Sequence, residues 1–232
     1  MANPGSRGRL IVFEGIEGAG KTTQLERTHR WLSNQTFNQT FEDGTSPTVV
    51  VTREPGGTQL GARIRQLLLD QPDGETIPER AELLLYAADR AGHVSGFIEP
   101  HIARGAIVLC DRYTESTVAY QGYGRGLDLH LIDRLNDIAT GGRKSDLTLW
   151  LDLDPAEGLR RARVRGQLDR MERENLAFHQ RVRQGYAALA DAEPDRVIRV
   201  DATGSADEVQ GKIQETLQQK MPDLTLGRVT PR

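Results

Sequence analysis

The stretch 13-FEGIEGAGKTT-23 decides the fold. It contains GIEGAGKT, which matches the phosphate-binding pattern G-x-x-x-x-G-K-[ST] at every position. The glycines allow backbone turns that direct N–H groups onto phosphate oxygens at a helix N-terminus, the lysine adds a positive charge, and the threonine hydroxyl can ligate Mg²⁺. The residues predicted to bind ATP are Gly15, Ile16, Glu17, Gly18, Ala19, Gly20, Lys21 and Thr22.

Apolar segments alternate with helical ones on both sides of this loop. The apolar segments predicted as strands are 9–15, 48–57, 106–111, 147–154 and 196–202. The segments predicted as helices are 21–33, 59–69, 78–103, 129–139, 155–165, 172–190 and 206–219. The strands are apolar almost throughout, as burial on both faces requires. We therefore expect an α/β fold, a five-stranded parallel sheet with helices on both faces in three layers, as in P-loop NTPases.

The chain of 232 residues is predicted to form a single domain, residues 1–232. Residues 1–8 are polar and predicted to be a flexible tail, and about 220–232 are predicted to be a C-terminal tail. Residues 34–47 contain NQTF twice and are predicted to be a polar loop insertion. No function is assigned to that insertion.

Charge and cysteine content limit the partners and the compartment. The net charge is −3, so no overall basic field would draw the chain to nucleic acid or to a membrane. Cys110 is the single cysteine, which rules out an intrachain disulfide and fits a reducing compartment. No N-terminal apolar region resembles a secretory signal, and no apolar run reaches a membrane span. We expect a cytoplasmic protein.

Three further segments are predicted to form the acceptor side of the site. Two follow predicted strands, at the sheet edge where ligands of open parallel sheets bind: 52-TREPGGTQLG-61 and 111-DRYTESTVAYQG-122. The third, 163-RVRGQLDR-170, is an arginine-rich joint between two helices. The guanine-reading pattern of GTPases, N-K-x-D, is absent from the sequence. A small kinase is the interpretation that remains.

Together with the phosphate loop, these segments resemble the bacterial thymidylate kinase family. The resemblance extends from Arg9 to about residue 218, and the order of the motifs is specific to that family. It implies the reaction ATP + dTMP → ADP + dTDP with Mg²⁺, and a homodimer. It also implies that residues of about 163–171 form a short arginine-rich lid.

The resemblance assigns roles to individual residues. It implies that Arg53 and Arg112 hold the acceptor phosphate. A helix would present Tyr86 and Arg90 to thymine, although the family often has Phe at the first position. The remaining implied contacts are Thr117 with the base, Tyr120 beneath the deoxyribose where it excludes a 2′-OH, Gln121 nearby, and Glu17 with the 3′-OH beside Arg53.

The attacking phosphate oxygen is already ionised at neutral pH, so the resemblance implies positioning and charge stabilisation rather than a strong general base. The residues predicted to act in catalysis are Lys21, Arg165, Arg112, Glu17 and Asp111. Arg163 and Arg170 are further lid candidates. Thr22, with Asp111 beside it, is the predicted Mg²⁺ ligand, and Glu14 is interpreted as structural.

Each assignment has a structural alternative from the residues alone. Tyr86 and Tyr120 could be core residues, Arg90 and the lid arginines could be solvated, and Asp111 could cap a strand. For the whole chain, the alternatives are another nucleoside monophosphate or deoxynucleoside kinase of the same fold, and a non-catalytic nucleotide-binding switch. An acceptor screen would separate these alternatives.

Overall fold

The structure is a computed structural model that describes residues 8–36, 48–69, 77–166 and 169–225. Five strands form one parallel sheet in the order β2-β3-β1-β4-β5. The strands are β1 Arg9–Glu14, β2 Val49–Arg53, β3 Ile107–Asp111, β4 Leu147–Asp152 and β5 Val197–Asp201. The predicted five-stranded parallel α/β fold is confirmed.

Helices connect the strands, because parallel strands need crossover connections. They are α1 Lys21–Thr36, α2 Gln59–Leu69, α3 Glu79–His93, α4 Glu99–Ala103, α5 Thr114–Thr117, α6 Leu129–Thr140, α7 Pro155–Arg165, α8 Leu176–Ala192, α9 Ala206–Lys220 and α10 Pro222–Thr225. Two π-helical segments, Val94–Ile98 and Val118–Gly124, continue α3 into α4 and extend α5.

The central strand β1 shows why its sequence is apolar throughout. Successive side chains of a strand point to opposite faces of the sheet. Ile11 and Phe13 belong to a large buried cluster, whereas Leu10 and Val12 belong to a second one. All four side chains are fully buried. Both faces of the sheet are therefore covered, and no polar position is available between Leu10 and Phe13.

Several predicted boundaries shift in the structure. The predicted insertion at 34–47 begins inside α1, which continues to Thr36, and residues 37–47 lie outside the described part of the chain. The predicted tail at 1–8 ends earlier, because the Gly8 N–H donates to Ile102 O at 3.3 Å; residues 1–7 are not described. Helix α8 begins at Leu176 rather than 172, because the Asn175 side chain accepts from Phe178 N.

The predicted C-terminal tail at 220–232 is wrong at its beginning. Lys220 still belongs to α9, and α10 follows at Pro222–Thr225. The reason is apolar packing, since Met221 is buried and Leu224 packs against the larger core cluster. Residues 226–232 lie outside the described residues. Among the described helices, we find none with the length and apolar character of a membrane span.

Candidate active site

A cavity of about 570 Å³ opens at the carboxyl ends of β1, β2 and β3. These three strands are neighbours in the sheet, so the loops that follow them meet at one edge. Its lining comes from the phosphate loop, the ends of β2 and β3, helix α3, the α5 region and the end of α7. The segments that the sequence singled out separately therefore line one cavity.

The phosphate loop has the backbone that its glycines permit. Gly15, Gly18 and Gly20 have φ values of 141°, 73° and 90°, which residues with a side chain rarely adopt. The Lys21 Nζ donates to the carbonyls of Gly15 and Ile16, at 2.9 Å each. Burial and the nearby Arg112 charge lower the pKa of Lys21. The loop thus holds its lysine in place within the cavity wall.

Part of the loop faces the core instead of the cavity. Ile16 and Ala19 are buried in the larger core cluster and do not line the cavity, and neither does Gly15. Gly18 approaches Gly158 of α7 so closely that a Cβ on Gly18 would lie 2.2 Å from the Gly158 carbonyl oxygen. The loop is therefore held from behind by the sheet and by α7.

The Thr22 hydroxyl donates to Asp111 Oδ2 at 3.2 Å. Thr22 lies at the beginning of α1, and Asp111 ends β3. Both residues line the cavity. A hydroxyl and a carboxylate oxygen are ligands that Mg²⁺ accepts, and this ion usually keeps waters and substrate phosphates as its other ligands. No group of three or more His, Cys, Asp or Glu side chains with metal-site geometry occurs among the described residues. The pair fits an ion that binds together with a nucleotide.

Glu17, Arg112 and Tyr120 form a hydrogen-bonded triangle in the cavity wall. Arg112 Nη2 donates to Glu17 Oε1 at 2.5 Å and to the Tyr120 hydroxyl at 3.1 Å. That hydroxyl in turn donates to Glu17 Oε2 at 2.6 Å. Burial alone would raise the pKa of Glu17, but the charges of Arg112 and Lys21 outweigh it and the pKa is lowered. Glu17 thus contacts Arg112, whereas the family resemblance implied that Glu17 lies beside Arg53.

A buried acid supports Arg112 from behind. Glu14 is fully buried and accepts hydrogen bonds from the N–H groups of Tyr113 and Ser116, and from the hydroxyls of Ser116 and Tyr186. Arg112 itself has a φ of 73°, unusual for a residue with a side chain. The hydrogen bonds to Glu14 hold the backbone that directly follows Arg112. Burial raises the pKa of Glu14 to about 7.

Arg90 is the centre of a buried polar network, so the alternative of a solvated helix arginine is wrong. Its side chain is 2% exposed, yet it lines the cavity. The guanidinium donates to Glu54 Oε2 at 2.8 Å, to Thr117 Oγ1 at 2.7 Å, to Asn136 Oδ1 at 2.8 Å and to Tyr113 O at 2.8 Å. Because a guanidinium has five N–H donors, these four bonds leave one.

Three more of the predicted residues line the cavity on the same side. Tyr86 lies on α3 one turn before Arg90, and burial raises the pKa of its hydroxyl. Thr117 ends α5, and Gln121 lies in the π-helical segment that follows. π-Helical turns are frequent at functional sites. Arg53, at the end of β2, also lines the cavity and is exposed.

The lid arginines divide into two groups. Arg165 lines the cavity and pairs with the buried Glu172, while its own side chain is 64% exposed. Arg163 is exposed and is not among the lining residues. Arg170 also lies outside the lining, because its guanidinium donates to Leu68 O and Glu82. Arg165 is thus the predicted lid arginine that reaches the cavity.

Sequence reasoning missed several lining residues. Arg161 lies one turn before Arg165 on α7, and a spacing of four residues on a helix was the signal that could have found it. The other lining residues that were not predicted are Thr23, Glu54, Pro55, Arg65, Leu69, Ser116, Asp169, Met171 and Glu172. Cys110, to which no role was assigned, is buried in the smaller core cluster.

Comparison with known proteins agrees with this geometry. The family model for thymidylate kinase matches residues 13–213. The chain belongs to the thymidylate kinase family. A thymidylate kinase from Cyanothece sp. (strain PCC 7425 / ATCC 29141) is 54% identical over 224 residues, which cover 93% of this chain and 95% of the relative. One from Acaryochloris marina (strain MBIC 11017) is 54% identical over 226 residues, 93% of this chain and 98% of the relative.

A solved structure of the thymidylate kinase family shows the same fold. The crystal structure of thymidylate kinase from Ehrlichia chaffeensis matches with a TM-score of 0.71 and 33% identity, covering 91% of this chain and all of that chain. The family expected from the motifs is confirmed. The roles of individual residues stay predictions of the thymidylate kinase resemblance and of the geometry above.

Proposed function

We propose that this cavity binds ATP and dTMP together and that the residues described above carry out the transfer between them. As a thymidylate kinase, the chain is an ATP:dTMP phosphotransferase, which forms ADP and dTDP. One observation supports the two-substrate assignment most directly. The phosphate loop and the acceptor-side segments, which are far apart in sequence, line one cavity. Two phosphate groups could approach each other there.

The donor side is the phosphate loop. Its backbone N–H groups, Lys21 and the N-terminus of α1 would hold the ATP phosphates. Mg²⁺ fits the Thr22 hydroxyl and the Asp111 carboxylate, which lie 3.2 Å apart. When bound with ATP, the ion would neutralise phosphate charge and orient the group to be transferred.

The acceptor phosphate would lie between Arg53 and Arg112. Arg53 is exposed and lines the cavity, whereas Arg112 is already oriented by Glu17 and Tyr120. An arginine that is held in place loses less conformational entropy when it binds phosphate. Glu17 would then contact the sugar 3′-OH next to Arg112.

The base and the sugar would occupy the part of the cavity lined by α3 and the α5 region. Tyr86 would stack on thymine, and the remaining N–H of Arg90 would donate to its edge. Thr117 and Gln121 would complete the base contacts. Tyr120 would lie beneath the deoxyribose, where its ring leaves no room for a 2′-OH.

Catalysis would rest on charge and position. The acceptor phosphate oxygen needs no deprotonation at neutral pH, so the reacting groups must be aligned and their charge stabilised. Lys21 and Arg165 would stabilise the transferred phosphoryl group from the donor side, and Arg112 from the acceptor side. Closure of the lid would exclude water from the reaction.

We also propose a homodimer in the cytoplasm. Helices α2 and α3 pack together and expose three leucines: Leu60 at 57% and Leu67 at 62% on α2, and Leu84 at 56% on α3. Such leucines on two helices that pack together would suit a protein–protein interface if they form one contiguous patch. Sedimentation equilibrium would test the dimer.

An acceptor screen tests the proposed function. ADP formation from ATP and Mg²⁺ would be measured with dTMP, dUMP, dCMP, AMP, GMP or thymidine as acceptor. We expect the highest kcat/KM with dTMP and negligible ADP without an acceptor. A preference for another acceptor would assign a different kinase, and acceptor-independent ADP formation would exclude the two-substrate assignment. A second screen without Mg²⁺ should lose activity.

A further inference from the structure

A buried carboxylate outside the cavity lining contacts one of its base-facing residues. Glu82 lies on α3, one turn before Tyr86, and its side chain is 1% exposed. Its Oε1 accepts a hydrogen bond from Gln121 Nε2 at 2.8 Å. Glu82 is absent from every sequence motif above, yet Gln121 lines the cavity.

Two arginines keep this carboxylate charged. Arg125 approaches both of its oxygens at 3.5 Å, and Arg170 donates to Oε2. Arg125 and Arg170 are themselves only 14% and 17% exposed. A buried carboxylate between two guanidiniums has its charge compensated, whereas an unpaired one would be costly. Glu82 therefore faces Gln121 as an ionised group.

The charge of Glu82 determines which way the Gln121 amide lies. An ionised carboxylate only accepts hydrogen bonds, whereas an amide has a donor end, Nε2, and an acceptor end, Oε1. Only the Nε2 end can bond to Glu82. The acceptor end is the one that remains for a ligand in the cavity.

We propose that Glu82 is a positioning residue that sets base selectivity by orienting the Gln121 amide. The proposal rests on the assignment of this cavity to a nucleoside monophosphate. A Gln121 side chain that offers an acceptor pairs with a base whose ring N3 carries a hydrogen, as in thymine and uracil. In cytosine, N3 carries no hydrogen and is itself an acceptor. It would face the acceptor oxygen of Gln121 with no hydrogen between them, so cytosine would bind more weakly.

The test compares binding of dTMP and dCMP by calorimetry, without ATP, in wild-type protein and Glu82→Gln. An uncharged amide at position 82 can donate to Gln121 and so allows its amide to turn over. We expect the ratio of Kd for dCMP to Kd for dTMP to fall about tenfold or more, the effect of one hydrogen bond. A loss of both affinities by one common factor would mean a merely structural role and would overturn the proposal.

A matched control is Asp152→Asn. Asp152 is a buried carboxylate that pairs with two arginines, Arg183 and Arg199, and it does not line the cavity. Its substitution should leave the dCMP/dTMP ratio unchanged. If Glu82→Gln does not fold, the dCMP/dTMP ratio is measured on the double variant Glu82→Gln/Arg170→Gln, which removes one negative and one positive charge.

Gln121→Leu separates this proposal from the proposed function. If Gln121→Leu lowers the ratio and Glu82→Gln does not, Gln121 reads the base without help from Glu82, and only the present proposal fails. If neither changes it, the assignment of Gln121 to the base fails as well. If wild-type protein binds no dTMP, the proposed function itself is overturned.

Discussion

Arg112 and Glu17 form a 2.5 Å ion pair between two segments that are 95 residues apart in sequence. Arg112 follows β3, and Glu17 lies inside the phosphate loop. The pair answers why an acid occurs in a loop that binds phosphate. Glu17 contacts the arginine proposed to hold the acceptor, so its charge is compensated and would face the second substrate.

Glu17→Gln should therefore weaken the acceptor side more than the donor side. The substitution leaves the arginine without its charged partner and makes the proposed 3′-OH contact a neutral, weaker one. We expect KM for dTMP to rise about 10- to 100-fold, the effect of one charged hydrogen bond, with KM for ATP changed less than threefold. Steady-state kinetics with each substrate varied in turn would measure this. Equal rises in both KM values would contradict the assignment.

Arg165→Ala should lower kcat about 100-fold or more, because a charge that stabilises the transferred group would be lost. Affinity for dTMP should stay within twofold, since Arg165 lies at the end of α7 and is proposed to act on the donor side. Arg163→Ala is the control, an exposed arginine of the same helix outside the cavity lining. An unchanged kcat in Arg165→Ala would remove this residue from the mechanism.

Two substitutions of Tyr120 separate its ring from its hydroxyl. Tyr120→Ala should admit a 2′-OH, so the preference for dTMP over its ribonucleotide should fall about tenfold. Tyr120→Phe keeps the ring and should keep that preference. It also removes the bonds to Glu17 and Arg112, so KM for dTMP should rise. If both variants retain wild-type preference, the ring does not exclude the 2′-OH.

Glu14 should make stability fall as pH rises. Its pKa increases from an ordinary 4.5 to about 7 in the folded protein. The folded state thus keeps a proton that the unfolded state has lost, and between these values rising pH favours unfolding. The shift corresponds to about 3 kcal/mol of unfolding free energy, fully lost above pH 7.

Urea unfolding of wild-type protein and Glu14→Gln at pH 4 to 8 would measure this effect. The difference between the two proteins isolates Glu14 from Asp89, whose pKa burial also raises, to about 6. The variant should show a flatter profile than wild type across this window. Parallel profiles would show that Glu14 does not titrate there.

The sequence predicted the elements whose signal is local. The phosphate loop, the five strands and the motif order depend on short patterns, and the sheet topology then brings Arg53, Asp111 and Thr22 to one edge. Contacts between distant segments carry no such pattern. Glu82 meets Arg170 across 88 positions, and Arg90 meets Asn136 across 46. Each of these contacts depends on how helices pack in the folded protein. The sequence predicts the order of the helices along the chain but not their packing.

The lid illustrates the same limit. The sequence marked an arginine-rich joint but not which guanidiniums are neutralised by a neighbour. Arg170 pairs with Glu82 and leaves the cavity, whereas Arg161 and Arg165 remain in its lining. Charge alone therefore could not rank these arginines, because the contact that takes Arg170 out of the cavity comes from a buried carboxylate 88 positions away.

The contact between Gly18 and Gly158 has a mechanical consequence. A Cβ on Gly158 would lie 2.4 Å from the Glu17 carbonyl oxygen, so the first turn of α7 rests directly on the phosphate loop. Arg165 lies about 10 Å further along the same helix. With that contact as a pivot, a tilt of about 10° would displace the Arg165 backbone by about 2 Å. A small rearrangement of the loop around its nucleotide would thus be amplified into a larger movement of the arginine at the tip of α7.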